Sequence, residues 1–272
     1  MEGFSSSFNE SEIYFNKLSQ NDCNIKVTKN NISFLIPPTN ITIQNWYKNH
    51  YEKWEEDTFN IINKFINKDK ILFDIGSWVG LISIPYSRYF SKVIAVEADN
   101  EAVVSLHDII SINNINNIEI INKAVFEESN KKVYFGQSNF RLDLPGLNQS
   151  TSHIKYDIIK QDDYSIDTIS LYDVVQPYIS DIGLIKIDIE GGEGFLLDDI
   201  SKLLQINIPI FISFHYPWIK NKDKLLSFSN FISNHNIKYY DSGYNLILTS
   251  VYDYIIENNF GSILLSGIKI II

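Results

Sequence analysis

The sequence is short of cysteine, of basic charge and of long apolar runs, and each shortage removes a class of protein. A single cysteine, Cys23, leaves no internal disulfide and no Cys-rich metal site. Lys and Arg total 23 against 33 Asp and Glu, a formal net charge of -10, and no segment concentrates the basic residues. A tight nucleic-acid binder needs a positive field to meet phosphates, so no nucleic-acid partner is expected. No stretch of about 18 apolar residues occurs, so no membrane span is expected. The opening MEGFSSSFNESE lacks the basic and apolar regions of a signal peptide, and a soluble, cytoplasmic protein is the expectation. The Asn-Xaa-Ser/Thr triplets at Asn9, Asn31, Asn40 and Asn148 then read as chance products of an Asn-rich, AT-rich-codon composition.

What is present suits one α/β domain. The chain has 272 residues, 44% of them apolar, enough for one large core with a small extension. Residues 1–22 read as polar and loosely ordered. NIKVTKNNISFLI (24–36) alternates around Lys29-Asn30-Asn31 and predicts a β-hairpin. A helix with one buried face is predicted over 44–67. Strands over 70–75, 92–97, 118–121, 183–190 and 209–216 then alternate with helices over 79–90, 99–113, 192–205 and 221–235. This alternation implies a doubly wound, mostly parallel sheet with helices on both faces. KKVYFG (131–136) reads as an antiparallel strand paired with residues just before it. IKYYD, YNLILTS and SILLSG read as tail strands that form an antiparallel edge. Residues 137–165 show no period and are read as a lid. The chain divides as an extension over 1–55 and a catalytic domain over 56–272. The aromatics of Trp46–Trp54 are a candidate homo-oligomer interface.

The strand KILFDI runs into the loop DIGSWVG. Asp74 ends the strand, and Gly76 and Gly80 bracket the turn, where small residues admit a ligand to the backbone. Free N–H groups of the next helix are expected to face the same place. Such a loop binds its ligand at the C-terminal edge of an open sheet. A dinucleotide needs G-x-G-x-x-G, and Gly76-Ser77-Trp78-Val79-Gly80 lacks that pattern, which counts against a nicotinamide oxidoreductase. The zwitterionic end of S-adenosylmethionine suits a carboxylate and backbone amides instead. Glu97 ends the next strand, 23 residues after Asp74, at the spacing of an acid that accepts ribose hydroxyls. Ala98 and Asp99 follow it on the adenine side. Ala124 and Val125, after the third strand, are read as its apolar wall.

A second cluster lies further along. Lys186, Asp188 and Glu190 alternate with Ile185, Ile187 and Ile189, so charges share one face of a strand that should be apolar. His215 ends the neighbouring strand, where Asp188 is expected beside it. A His near a carboxylate is a candidate general base, with Asp188 as its orienter or a second base. Tyr216 and Trp218 are candidate acceptor contacts. No Asn/Asp-Pro-Pro-aromatic loop follows Asp188, which points to oxygen rather than amino nitrogen as the acceptor atom.

FDIGSWVG, VIAVEAD, the run at 116–125, LIKIDIEGGE and the strand ending in His215 resemble the FkbM family of methyltransferases. The resemblance covers about residues 52–215. It implies a seven-stranded, Rossmann-like methyltransferase fold, S-adenosylmethionine as cofactor with S-adenosylhomocysteine as product, and O-methylation of a sugar, glycan or small metabolite. Two positions depart from the family. Ser77-Trp78 replace the usual Ala-Asn, and Ser213 stands where an acid is usual two residues before the His. That replacement supports a second reading, a non-catalytic cofactor-binding module. No metal is assigned from the sequence.

Overall fold

The computed structural model describes residues 23–137, 152–155 and 164–266. Asn30 and Asn31 both take the left-handed backbone that a two-residue hairpin needs, joining β1 (Ile25–Lys29) to β2 (Ile32–Ile36) as expected. Asn40 caps α1 (Ile41–His50), its side chain accepting from the Ile43 N–H. The predicted single helix over 44–67 is interrupted. A short 3-10 turn, Tyr51–Lys53, ends α1, Glu55 adopts φ +42, and α2 (Glu56–Asn63) starts afresh. Lys29 forces this break. Its buried ammonium donates to the carbonyls of Tyr51 and Trp54 and lies over the Phe59 ring.

The central sheet has seven strands: β3 (Asn67–Ile75), β4 (Phe90–Val96), β5 (Ile118–Ile121), β10 (Ile182–Ile187), β11 (Ile210–His215), β12 (Lys238–Asp241) and β13 (Phe260–Ser266). Their order is β12-β13-β11-β10-β3-β4-β5. All neighbours are parallel except at β13, which is antiparallel to both β11 and β12. The fold is therefore the mostly parallel, seven-stranded α/β sheet, with the reversed strand one place in from the edge. Strand order reverses between β3 and β10, and open α/β sheets bind ligands at the C-terminal ends of such a pair.

Several local expectations change. The helix predicted over 79–90 shrinks to one turn, α3 (Ser83–Tyr86), because left-handed residues at Gly76, Trp78 and Gly80 interrupt the run-in. Only a one-turn helix therefore follows the loop directly. The helix over 99–113 is found as α4 (Asn100–Ile112). KKVYFG forms β7 (Lys132–Gln137), but pairs with later residues: β8 (Ser152–Lys155) and β9 (Tyr164–Ser170). Ala124 and Val125 form β6 (Ala124–Phe126), which lies parallel to β9 in a second, four-stranded sheet. Apart from Gln137, β8 and the start of β9, the predicted lid lies outside the described residues, as does segment 1–22. After β9 come a short helix, α5 (Leu171–Val175), then α6 (Leu197–Gln205) and α7 (Lys222–Asn234). YNLILTS is an irregular link holding one bridge, and the missed α8 (Val251–Asn258) follows it.

The extension shares its core with the sheet. Trp46, Tyr47 and Tyr51 are buried with Phe34, Phe59, Val79 and Leu81. These aromatics are thus not an exposed oligomer surface, because the chain itself covers them. Tyr47 and Tyr51 donate to the carbonyls of Val79 and Leu81 and so clamp the first ligand loop. No helix among the described residues is long and apolar enough to cross a membrane. Replacing Lys29 by Met should strand the buried Tyr51 carbonyl and cost about 1–3 kcal/mol, read as a lower denaturation midpoint with unchanged slope.

Candidate functional site

Gly76 is the point where the two halves of the site meet. Its N–H donates to the Val96 carbonyl at 2.9 Å and its φ is +77. A Cβ there would stand 1.8 Å from the Asp188 carbonyl oxygen. The loop after β3 and the loop after β10 therefore touch backbone to backbone, as only glycine allows. Gly80, at φ +87, would meet only the side chains of Leu106 and Ile84.

Asp74 is fully buried at the end of β3. Its Oδ2 accepts from Ser83 Oγ at 2.6 Å, and Oδ1 lies 3.3 Å from Lys186 Nζ. Lys186 comes from β10, in register with Asp74, and also donates to the Gly76 carbonyl at 3.2 Å. Burial alone would lower the Lys186 pKa, but the carboxylates of Asp74, Asp188 and Glu55 outweigh it and hold it above the usual lysine range. Asp74 is thus the anchored floor of the loop.

Glu97 follows β4 and is 8% exposed. Its Oε2 accepts from the Trp78 N–H and Oε1 from the Asp99 N–H, both at 2.7 Å. Burial raises its pKa to about 7 against the pull of those two N–H groups. Trp78 is held at φ +45 by this bond and by its ring packing on Trp46. Asp99 caps α4 by accepting from Glu101 and Ala102. Ala98 and Ala124 lie in a small apolar cluster with Phe135, Ile154 and Ile166. Val125 packs into the main core.

His215 stands at the end of β11, and the expected neighbour is there. Nε2 lies 3.6 Å from Asp188 Oδ1 and 3.6 Å from Glu190 Oε2. A third acid was missed. Glu193, fully buried, meets Nδ1 at 2.9 Å and also accepts from the Gly191 N–H. Burial alone would strip the imidazole of its proton, but Glu193, Asp188 and Glu190 outweigh it and push the pKa up to about 10. With no cation beside it, the three acids favour the protonated ring, and Glu193 accepts at Nδ1 whichever state Nε2 is in. Trp218 stacks on it, rings parallel within 1° and 5.3 Å apart. Ser213 pairs with Ser262 on β13. Asp188, Glu190 and His215 are also the one group among the described residues with His and acid donor atoms close enough to share a metal ion.

Glu55, at the left-handed break before α2, is the other residue missed. Burial and the charge of Asp188 raise its pKa to about 7, while Lys186, the Thr58 hydroxyl and His215 pull it down. No local signal marks it, because its place depends on the fold of the extension. Glu193 had a signal, an acid closing LIKIDIEGGE immediately after the Gly-Gly turn.

Six buried side-chain atoms among the described residues lack a hydrogen-bond partner, and five belong to these two loops: Asp74 Oδ1, Ser77 Oγ, Trp78 Nε1, Asp188 Oδ1 and Glu193 Oε2. Buried polar atoms are nearly always satisfied; Asp74 Oδ1 and Asp188 Oδ1 face Lys186 and His215 in ion pairs, while Ser77 Oγ and Trp78 Nε1 are donors left open at the first loop. The pattern that defines the methyltransferase FkbM domain matches residues 75–239, from the first loop to β12. The chain belongs to the FkbM methyltransferase family. Ribosomal protein L11 methyltransferase of Clostridium perfringens is 36% identical over 61 residues, which are 22% of this chain and 20% of that protein. The match thus spans only a fifth of that relative. The FkbM methyltransferase of Methylobacillus flagellatus aligns over 73% of this chain and 44% of its own, with 14% identity and a TM-score of 0.40. An rRNA methylase from Streptococcus thermophilus aligns over 78% and 95%, with 12% identity and a TM-score of 0.45. TYW2 of M. jannaschii, crystallised with AdoMet, aligns over 92% and 87%, with 11% identity and a TM-score of 0.42.

Gly76→Ala should cost about 3 kcal/mol or more, from left-handed strain plus backbone overlap. Gly80→Ala should cost clearly less, because side-chain tips can yield. Denaturation of the two variants side by side checks the order.

Proposed function

We propose that this FkbM-family chain is an O-methyltransferase that uses S-adenosylmethionine to methylate a hydroxyl of a sugar, glycan or small metabolite. The observation that carries the reading is the grouping of Asp188, Glu190 and His215 beside the Gly76 loop. A cofactor cleft thereby adjoins a cluster able to take a hydroxyl proton. The residues present fit the cofactor. Ser77 Oγ and Trp78 Nε1 are unpartnered donors for its carboxylate end. Gly76 and Gly80 give it room, with Asp74 anchoring their loop through Ser83 and Lys186. Glu97 keeps lone pairs for the ribose hydroxyls, next to Ala98 and Asp99. Ala124 and Val125 stay the proposed adenine wall. Bound there, the cofactor supplies a methyl group on an electrophilic sulfonium.

The chain's own residues do the rest. Asp188 and His215 receive the acceptor hydroxyl, which must lie about 3 Å from the methyl carbon for transfer. Its proton passes into the carboxylate cluster they share with Glu190 and Glu55. Glu193 fixes the imidazole from behind, and the Trp218 ring covers its face. Tyr216 and Trp218 are the proposed acceptor contacts. In the proposed division into an extension over 1–55 and a catalytic domain over 56–272, Tyr47 and Tyr51 of the extension brace the first loop. The net charge of -10 speaks against a nucleic-acid acceptor, and the single cysteine suits a reducing, cytoplasmic setting.

Transfer of a labelled methyl group into a cell extract, with mass identification of the product, tests the reading. A labelled ether on a hydroxyl is expected, and a labelled nucleobase or protein amine would overturn it. His215→Ala should abolish transfer and leave S-adenosylhomocysteine affinity intact. Normal turnover in that variant removes the assignment. Glu97 gives a pH test. Hydroxyl donors favour its carboxylate, so binding draws off a proton whenever Glu97 is protonated. Affinity for S-adenosylhomocysteine should therefore tighten as pH rises through about 7 and level off above it. Glu97→Gln should flatten that profile and bind more weakly at pH 8.

A further inference from the structure

Glu193 does more than neutralise His215. By holding Nδ1 it selects the tautomer and aims Nε2 at Asp188 and Glu190. A carboxylate behind a histidine is the usual support of a metal-ligating imidazole. Both 3.6 Å separations from Nε2 exceed a hydrogen bond, and one donor atom from each of the three residues lies within 4.8 Å of the others. Metal–ligand bonds of about 2.0–2.6 Å place ligand atoms about 3–4.5 Å apart, so the spacing suits one ion. Asp188 Oδ1 is buried without a hydrogen-bond partner, while Oδ2 faces Lys186 at 3.9 Å. One oxygen thus lies toward the strand lysine and the other toward His215 Nε2. Asp74, Asp188, Glu190 and Glu193 stand around Lys186 and His215.

We propose that Asp188, Glu190 and His215 hold a divalent cation whose open positions bind an acceptor with two neighbouring oxygens, such as a vicinal diol. One imidazole and two carboxylates suit an ion of the Mn²⁺ or Mg²⁺ kind, which takes about six ligands and keeps exchangeable ones. Trp218 shields the outer face of the imidazole and leaves the side toward Asp188 and Glu190 for the ion. The acceptor class rests on the methyl-transfer reading. The ion site does not.

Titration of the metal-stripped full-length protein with Mn²⁺, followed by loss of the free-ion paramagnetic resonance signal, tests this. One ion per chain is expected. Glu190→Gln and Asp188→Asn should each weaken binding at least about tenfold, and Glu193→Gln about 10–100-fold through the imidazole. Glu190→Gln, the most exposed of the three, should keep wild-type affinity for S-adenosylhomocysteine, which shows that it is folded. No stoichiometric Mn²⁺ binding to the wild type overturns the proposal, as does binding unchanged in both Asp188→Asn and Glu190→Gln. Mn²⁺ binding without S-adenosylhomocysteine binding would uphold the ion site and remove the cofactor reading instead.

Discussion

Asp74 is buried at the end of β3 because Lys186 arrives beside it from β10. An unpaired carboxylate there would carry a desolvation penalty of several kcal/mol. With the lysine in place the two strand ends are joined by charge, by register and by the Lys186 bond to the Gly76 carbonyl. The first loop, the second loop and the cleft between them inherit their positions from that pair. The remaining acids are arranged around it, with Asp188 near the same ammonium and Glu55 within reach of its field.

The extension acts on this arrangement from the other side. Lys29 gathers the carbonyls that end α1, the chain breaks, and Glu55 is delivered to the cleft in a left-handed conformation. Tyr47 and Tyr51 fasten the carbonyls of the loop that carries Trp78. Trp78 itself occupies backbone space that Asn tolerates better than Trp does. The Trp46 ring and the Glu97 carboxylate supply the compensation.

Features fixed by neighbouring residues were legible in the sequence. The Asn30-Asn31 hairpin, the helix α4, the strands leading to Asp74, Glu97 and His215, and the approach of His215 to Asp188 all follow from local pattern and strand order. Features decided by distant partners were not. The 44–67 helix has good periodicity throughout, yet a buried lysine from the hairpin interrupts it. YNLILTS has strand composition but finds no edge to extend. β7 takes its partners from across a long insertion, where pattern gives no register. Val125 is placed after the third strand by the sequence, but its packing into the main core depends on distant partners. His215 reads as a base by type, but three acids around it decide its charge, and one of them is buried behind it.

The contact between Gly76 and the Asp188 carbonyl has a consequence for how the two halves of the cleft communicate. Neither loop has slack against the other, so a ligand that shifts one backbone moves its neighbour. The absence of a single side-chain carbon at position 76 is what lets the two strand-end loops pack as one body.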